Sequence, residues 1–571
     1  MKVSDYIVKE LEKNNVKTVF GFTGGSIADV IDSIYLSGKI KFVENYHEQA
    51  SSFAANAFAQ ITGEIGVAVA SSGPGACNLI NGIANAYYDS IPCIFITGNV
   101  HTKAIKDSEV IRQNGFQETD IVSIVNGIAK FTITVKNPED IRYYWEKALY
   151  FAKQGRPGPV LLDIPYDIQR CKIDVENLHG YTRPEESTYD NIDSRYLADL
   201  LKVSKKPILL LGGGARSKEC RKKIIKLLEK VEIPAVASLC GLDVLPHNHK
   251  CFIGFIGSYG NRYANLAVAN SDLLIVIGSR LDERQIGGLK SEFAQNAKII
   301  HVDIDKVELG RTIDEALSIY SSAEVFIGKL LTENFNDYNY IKWMSVLLNW
   351  KARYPSYNSF SKEVNLNDFL HEISDYVSKD AIICADVGQN QMSTAQAFRL
   401  DNKRKLLNSS GLGSMGYALP AAIGASYAQK KSDIICISGD GGIQMNIQEL
   451  QTIVREKLPV HIIIMNNKCL GMVRRLQEKM FDNRTFASVE GFNAPDFSKI
   501  ANAYGIDYLK VDSPEKYDLT KNYINVKHPT IIELSLMQDT RNNPEPGISI
   551  GKQLPELSEA EYGMISEECA F

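Results

Sequence analysis

The chain has 571 residues, 44% of them hydrophobic and 23% charged, with 41 Gly and 19 Pro. That is the length of about three to four domains of ordinary size, and the balance excludes a disordered, collagen-like or low-complexity protein. The net charge of −5, from 63 basic and 68 acidic residues, gives no footing for a nucleic-acid or membrane-surface partner.

The opening segment, MKVSDYIVKELEK, is charged and amphipathic and lacks the apolar core of a signal peptide. Strands are predicted in KTVFGF, IGVAVAS, PCIFITG and PVLLDIP, after which the polar stretch 181–195 reads as a linker. A second group, PILLLGGG, LLIVIGS and KIIHVDID, runs to another polar stretch at 332–365. A third group, AIICADVG, DIICISGD and PVHIIIMNN, follows. Segments of helical period, such as LADLLKVSKK and IQELQTIVREKL, lie between strands. This alternation predicts an α/β protein of three doubly wound parallel-sheet domains, at 1–180, 190–335 and 360–545. The tail, 546–571, reads as a mobile cover. The first and third blocks share a strand–helix rhythm, too loose to establish duplication.

The uncharged stretch 408–429 is long enough to raise a membrane-spanning question. It is rich in Gly, Ser and Ala and contains Pro420, so a buried helix after a glycine loop is expected. The ten cysteines contain no CxxC pair, and several, such as Cys93 and Cys436, lie in apolar runs. They are expected to be reduced thiols of a cytoplasmic protein. His247 and His249 lie in a Pro/Asn loop with no third metal ligand beside them.

The sharpest signal is in the third block. A predicted strand ends in Gly439-Asp440-Gly441-Gly442, and the next ends in Asn466-Asn467. In a parallel sheet both lie at carboxyl ends of strands, where ligands bind at a switch point. The glycines let backbone amides approach a phosphate at a helix N-terminus. Asp440 and Asn467 offer two hard oxygens to Mg²⁺, which takes phosphate oxygens and water as its remaining ligands.

Further segments accompany it in order: NYHEQASSFAANAFA (45–59), SSGPGACN (71–78), GFQETD (115–120), GRPGPVLLDIP (155–165), LLGGG (210–214), GSRLDER (278–284), HVDID (301–305), DVGQNQM (386–392) and GLGSMGYALPAAIGA (411–425). Together they resemble the acetolactate synthase-like branch of the thiamine diphosphate (ThDP) enzymes over nearly the whole chain. The resemblance implies a pyrimidine-binding first domain, a central Rossmann-like domain and a diphosphate-binding third domain. It implies that Glu48 donates to N1′ of the aminopyrimidine, that Met415 holds the cofactor bent, and that the Gly413 carbonyl meets the 4′-amino group. Gly388, Gln389, Asn390, Gly441 and Gly442 would hold the diphosphate, Met472 would flank the cofactor, and the carbonyl of Cys469 would complete the metal shell.

On the substrate side the resemblance implies Gly73 in a glycine loop, Phe116 beside Gln117 as an oxyanion donor, and Lys130. Arg284 would bind a carboxylate. In the middle block Gly212, Gly213, Gly214, Gly278, Arg280, Asp303 and Ile304 resemble an FAD site, although SSAEV stands where a Gly-Asp pair is expected. Because Glu48 would reach a diphosphate half held by another subunit, at least a homodimer is implied, and a homotetramer is expected.

Three departures fall where the acceptor is chosen. Leu476 replaces a Trp, preceded by Arg474 and Arg475, which are expected to face solvent; Tyr166 replaces a cationic residue; and Ser108-Glu109 replaces basic residues. The reading is a carboligase that decarboxylates a 2-keto acid, expected to be pyruvate, and joins the two-carbon fragment to a second carbonyl, as acetolactate synthases do. Phe116 and Leu476 would shape the acceptor pocket. The two lost positive charges and the gained negative one favour a neutral or larger acceptor. The alternatives are therefore the same donor half-reaction with a non-keto-acid acceptor such as a keto sugar, as in the surface-polysaccharide branch that the tail resembles, and simple decarboxylation, whose His-His pair is not seen. The motifs do not specify the acceptor or a small regulatory subunit.

Overall fold

The computed structural model describes residues 1–108, 110–185, 188–358 and 362–571; Glu109, named above, lies outside the described residues. Three six-stranded, all-parallel sheets follow one another along the chain. The first contains β1 (Thr18–Gly21), β2 (Lys41–Glu44), β3 (Gly66–Ala70), β4 (Cys93–Asn99), β5 (Phe131–Thr134) and β6 (Pro159–Pro165), in the order β2-β1-β3-β4-β6-β5. The second contains β7 (Pro207–Leu211), β8 (Ala235–Ala237), β9 (Phe252–Phe255), β10 (Leu273–Ile277), β11 (Lys298–Asp303) and β12 (Leu317–Tyr320), in the order β12-β11-β10-β7-β8-β9. The third contains β13 (Ile382–Ala385), β14 (Lys405–Asn408), β15 (Ile434–Gly439), β16 (Val460–Asn466), β17 (Asp507–Val511) and β18 (Thr530–Ser535), in the order β14-β13-β15-β16-β18-β17.

The first and third sheets therefore have the same topology, which the sequence rhythm could only hint at. The middle sheet has the doubly wound dinucleotide-fold order. Central strands such as β3, β7 and β10 are buried along their whole length. This is why they read as unbroken apolar runs rather than alternating ones.

The first and third domains meet through two small-residue helices, Glu48–Thr62 and Ala418–Ala428. A Cβ at Gly424 would stand 2.1 Å from the carbonyl oxygen of Ala54, so only glycine permits this approach. The uncharged stretch is thus a buried helix of the domain interface. No helix among the described residues is long and apolar enough to cross a membrane. All ten cysteines are unpaired. His247 stacks on Phe252 with ring centroids 4.2 Å apart and accepts from the Leu400 amide, a satisfied core histidine.

The tail is docked, which corrects the expectation of a loose cover. An antiparallel hairpin, β19 (Glu545–Ser549) and β20 (Lys552–Leu554), leads to the helix Glu559–Glu568. Ile550 and Ile565 enter the middle-domain core beside Trp343 and Trp350. Gln553 donates to the Gly260 carbonyl at 2.8 Å, and Trp350 Nε1 donates to Glu568 at 2.6 Å.

One side chain joins all three domains. Arg216 donates to Gln60 Oε1 of the first domain (2.8 Å), to Asp243 Oδ2 of its own domain (2.8 Å) and to the Leu406 carbonyl of the third (2.9 Å). Burial alone would raise the Asp243 carboxyl. The Arg216 guanidinium, with Lys405 and Arg221, outweighs it and holds that carboxyl down at about 2. Removing one partner of such a buried pair costs about 3–5 kcal/mol, because the other charge is left unpaired. Asp243→Ala is expected to lower the urea midpoint at pH 7 accordingly. Since the folded pKa is depressed, this contribution is complete above about pH 4 and is lost as pH falls through about 2. The gap between the two proteins should narrow over that window, and equal midpoints at pH 7 would refute the role of the pair.

Candidate active site

The third sheet reverses its direction of winding between β13 and β15, and the loops leaving these strands part there. One carries Gly388, whose φ of 139° is open to glycine, and opens the helix Gln389–Ala397 with its free amides. The other carries Asp440, Gly441 and Gly442. A cleft of about 240 Å³ lies between them. It is lined by Gly388, Gln389, Asn390, Gly413, Met415, Asp440, Gly441, Gly442, Asn467, Cys469 and Met472, all named from the sequence, and by Arg284 from the middle domain.

Asp440 is buried. Its oxygens accept from the amides of Gly441 (2.9 Å) and Lys468 (2.7 Å). Burial, aided by Glu533, still pushes its carboxyl up to about 7. A buried carboxylate so short of positive charge suits a cation. Asn467 Oδ1 accepts from the Cys469 amide at 3.3 Å, while its Nδ2 donates to Gln389 Oε1 at 3.0 Å. The Cys469 thiol, raised to about 11 by burial, is no nucleophile. Met415 lies across the cleft, its Cε 3.5 Å from where a Cβ on Gly441 would be.

Sequence reasoning overlooked the residue that sets this turn. Asp386, buried at the end of β13, accepts from the amides of Val387 (2.7 Å) and Gly416 (2.9 Å) and from Ser438 Oγ (3.0 Å). Burial pushes its carboxyl up to about 6 despite these donors. From the other side Asn446 Nδ2 donates to the Gly416 carbonyl at 2.8 Å. Gly416, at φ 82°, is thus held at both ends, and Met415 is fixed with it. An Asp closing an apolar strand immediately before Val-Gly was the available signal.

Glu48 is not in this cleft. It starts its helix, is 8% exposed, and accepts from Asn78 Nδ2 at 2.9 Å. Gly73 and Gln117 are brought together: a Cβ on Gly73, whose φ is 61°, would lie 3.1 Å from that of Gln117, itself at φ 65°. Glu118 braces this loop by accepting from the amides of Lys106, Asn114 and Gly115. Phe116 is 87% exposed and Leu476 55%; neither lines the cleft.

Other predicted residues lie elsewhere. The Lys130 ammonium donates to the carbonyls of Gln154 (2.5 Å) and Arg156 (2.7 Å), and burial lowers it to about 8. Tyr166 packs edge-on to His101 and under the Arg170 guanidinium. Arg474 and Arg475 do not face solvent, because Thr540 and Glu545, in the segment leading into the tail, lie against their helix, Gly471–Met480. Arg474, 3% exposed, donates to the Thr540 carbonyl at 3.2 Å. Arg475 pairs with Glu545 at 2.8 Å and Glu478 at 3.2 Å.

A second cleft, about 420 Å³, opens at the switch point of the middle sheet, between β7 and β10. Gly213, Gly214, Gly278, Arg280, Asp303 and Ile304 line it, together with Arg156 and Asp89 of the first domain. Gly212 lies behind it, packed so closely that a Cβ would stand 2.1 Å from the Gly278 carbonyl. Ser322, Ala323 and Glu324, the residues found in place of Gly-Asp, also line this cleft.

Comparison with known proteins agrees with this layout. Residues 1–124 match the N-terminal TPP (thiamine pyrophosphate) binding domain of thiamine pyrophosphate enzymes, residues 195–330 their central domain, and residues 386–534 their C-terminal TPP binding domain. The acetolactate synthase large subunit of Cyanidium caldarium is 38% identical over 567 residues, covering 96% of this chain and 94% of that protein. The large subunit from Lactococcus lactis subsp. lactis is 34% identical, over 93% of this chain and 92% of its own. Acetolactate synthase isozyme 3 large subunit of Escherichia coli K12 is 34% identical, covering 90% of each. With its three domains and its cleft residues in place, the chain belongs to the thiamine pyrophosphate enzymes and, among them, to the acetolactate synthase large-subunit family.

Proposed function

We propose that this protein is a ThDP-dependent carboligase that condenses two pyruvates into acetolactate and releases one CO₂. The observation carrying this reading is that one cleft is lined both by a phosphate-type helix N-terminus with the buried Asp440 and by the guanidinium-bearing Arg284. The Arg284 guanidinium makes no hydrogen bond or ion pair among the described residues, so it is available to the carboxylate of a second keto acid. A keto-sugar acceptor would leave that cation unused, and simple decarboxylation has no need of it.

Bound ThDP supplies the electron sink for decarboxylation, which no side chain provides. Amides of the Gln389–Ala397 helix and the backbone of Gly441 and Gly442 would hold its diphosphate. Asp440, Asn467 and the Cys469 carbonyl would hold Mg²⁺. Asp386 and Asn446 fix Gly416 and with it the Gly413–Gly416 turn, which would hold the cofactor's rings. Glu48, shielded from water, would share its proton with the pyrimidine N1′. Gln117 beside the Gly73 loop would donate its amide to a developing oxyanion.

Glu48, Gln117 and the exposed Phe116 stand outside the cleft of their own chain, which supports a site completed by a second copy. The homodimer is then the smallest active unit, and a homotetramer is the proposed assembly. The second cleft is assigned to FAD. Glycines at a doubly wound switch point, close backbone approach at Gly214 and Gly278, and Asp303 at the end of β11 suit a dinucleotide. Ten unpaired cysteines support a cytoplasmic location.

End-point analysis with pyruvate, ThDP and Mg²⁺ alone should give acetolactate with one CO₂ per two pyruvates. Pyruvate left unconsumed until a ketone or keto sugar is added would overturn the acceptor assignment. Glu48→Gln is expected to lower kcat by about 10²–10⁴-fold, the range of a lost acid–base group, with the fold intact by circular dichroism. Asp386→Ala leaves the Gly416 amide and Ser438 without their acceptor, a loss of about 1–3 kcal/mol. It should weaken ThDP binding about tenfold or more by calorimetric titration, and an unchanged Kd would exclude its role in setting the turn.

A further inference from the structure

Glu449 lies seven residues beyond Gly442, at the start of the helix Glu449–Arg455, and is fully buried. Its Oε1 accepts from the amides of Tyr46 (2.8 Å) and His47 (3.2 Å). Its Oε2 accepts from Asn45 Nδ2 (2.9 Å) and Thr452 Oγ1 (2.7 Å). Three of its four donors thus come from the three residues immediately before Glu48. These two amides have no sheet partner, because β2 ends at Glu44, and a buried donor must find an acceptor elsewhere. The third domain supplies it.

The same segment holds the turn at further points. Asn446 Nδ2, which donates to the Gly416 carbonyl, also donates to Gln49 Oε1 at 3.2 Å. The Arg455 guanidinium donates to the Glu44 carbonyl. His47 in turn caps the helix of Glu48, its Nδ1 accepting from the Gln49 amide at 3.1 Å. The residues on either side of Glu48 are therefore bonded to the segment that continues the Asp440–Gly442 loop.

We propose that Glu449 is the positioning residue for Glu48, so that the diphosphate and metal loop of each chain aims the carboxyl that this chain lends to the cleft of its partner. The proposal rests on the reading of Glu48 as the group acting on the pyrimidine. A neutral amide cannot replace Glu449, since its NH₂ would face donors and lose half the bonds. A shift of about 1 Å in a reacting group can cost up to about 100-fold in rate.

The test measures deuterium exchange at C2 of ThDP bound to the holoenzyme, by acid quench and NMR, together with ThDP affinity and thermal midpoint. Glu48→Gln, as the reference, should abolish the enzyme's acceleration of exchange. Glu449→Gln should slow exchange about tenfold, and Asn45→Ala by less, with ThDP affinity held within about twofold. Thr452→Val, which removes the one donor from Glu449's own helix, should lower the thermal midpoint and leave exchange unchanged. Wild-type exchange in both Glu449→Gln and Asn45→Ala, with Glu48→Gln collapsed, would make Glu449 a mere domain bolt and overturn the proposal. Unchanged exchange in Glu48→Gln would overturn the Glu48 reading and this proposal with it. Should Glu449→Gln not fold, Asn45→Ala, which removes a single neutral donor, decides by the same criterion.

Discussion

A parallel sheet that winds first one way and then the other must leave two neighbouring loops with nothing between them. Each domain of this protein has one such parting: β1 from β3, β7 from β10, β13 from β15. The carboxyl ends of strands and the amino ends of helices meet there, so amides and glycine backbones face outward without partners. The ThDP cleft and the middle-domain cleft occupy two of these partings. Gly73 stands at the third, after β3, with the Gln117 loop packed against it.

Buried carboxylates organise the loops around these partings. Asp386, Glu118 and Glu449 each collect backbone amides from a turn that no strand can satisfy. A charged acceptor makes stronger bonds than a neutral one and answers several donors at once. One well-placed acid can therefore specify a whole turn, at the cost of being taken out of water. Asp163 shows a related use within a sheet: buried in β6, it accepts from the side chains of Thr97 (2.7 Å) and Asn99 (2.7 Å) of the neighbouring β4. Burial pushes its carboxyl up to about 7.

The third-domain cleft was legible because its chemistry is local in sequence: glycines, Asp440 and Asn467 stand at strand ends that apolar runs announce. The three sheets were legible for the same reason. What sequence patterns missed depends on segments far apart in the chain. Arg474 and Arg475 read as surface residues on their own helix, yet Thr540 and Glu545, some 70 residues later and just before the tail, cover them. The tail looked loose because Ile550 and Ile565 are spaced too widely to announce a shared apolar face. Glu449 sits in a segment read only as a helix, and its partners lie about 400 residues upstream.

The Arg216 junction bears on how this family can be recombined. Its guanidinium requires an amide from a first-domain helix, a carboxylate from the middle domain and a carbonyl from a third-domain strand. A middle domain transplanted from a relative must bring the matching arginine and aspartate together and find Gln60 and Leu406 in register. Otherwise a charge is stranded in the interior. Although each sheet could be drawn as a separate module, the chain is not modular at this point. Grafting a different middle domain onto the first and third domains would succeed only with the junction included in the graft.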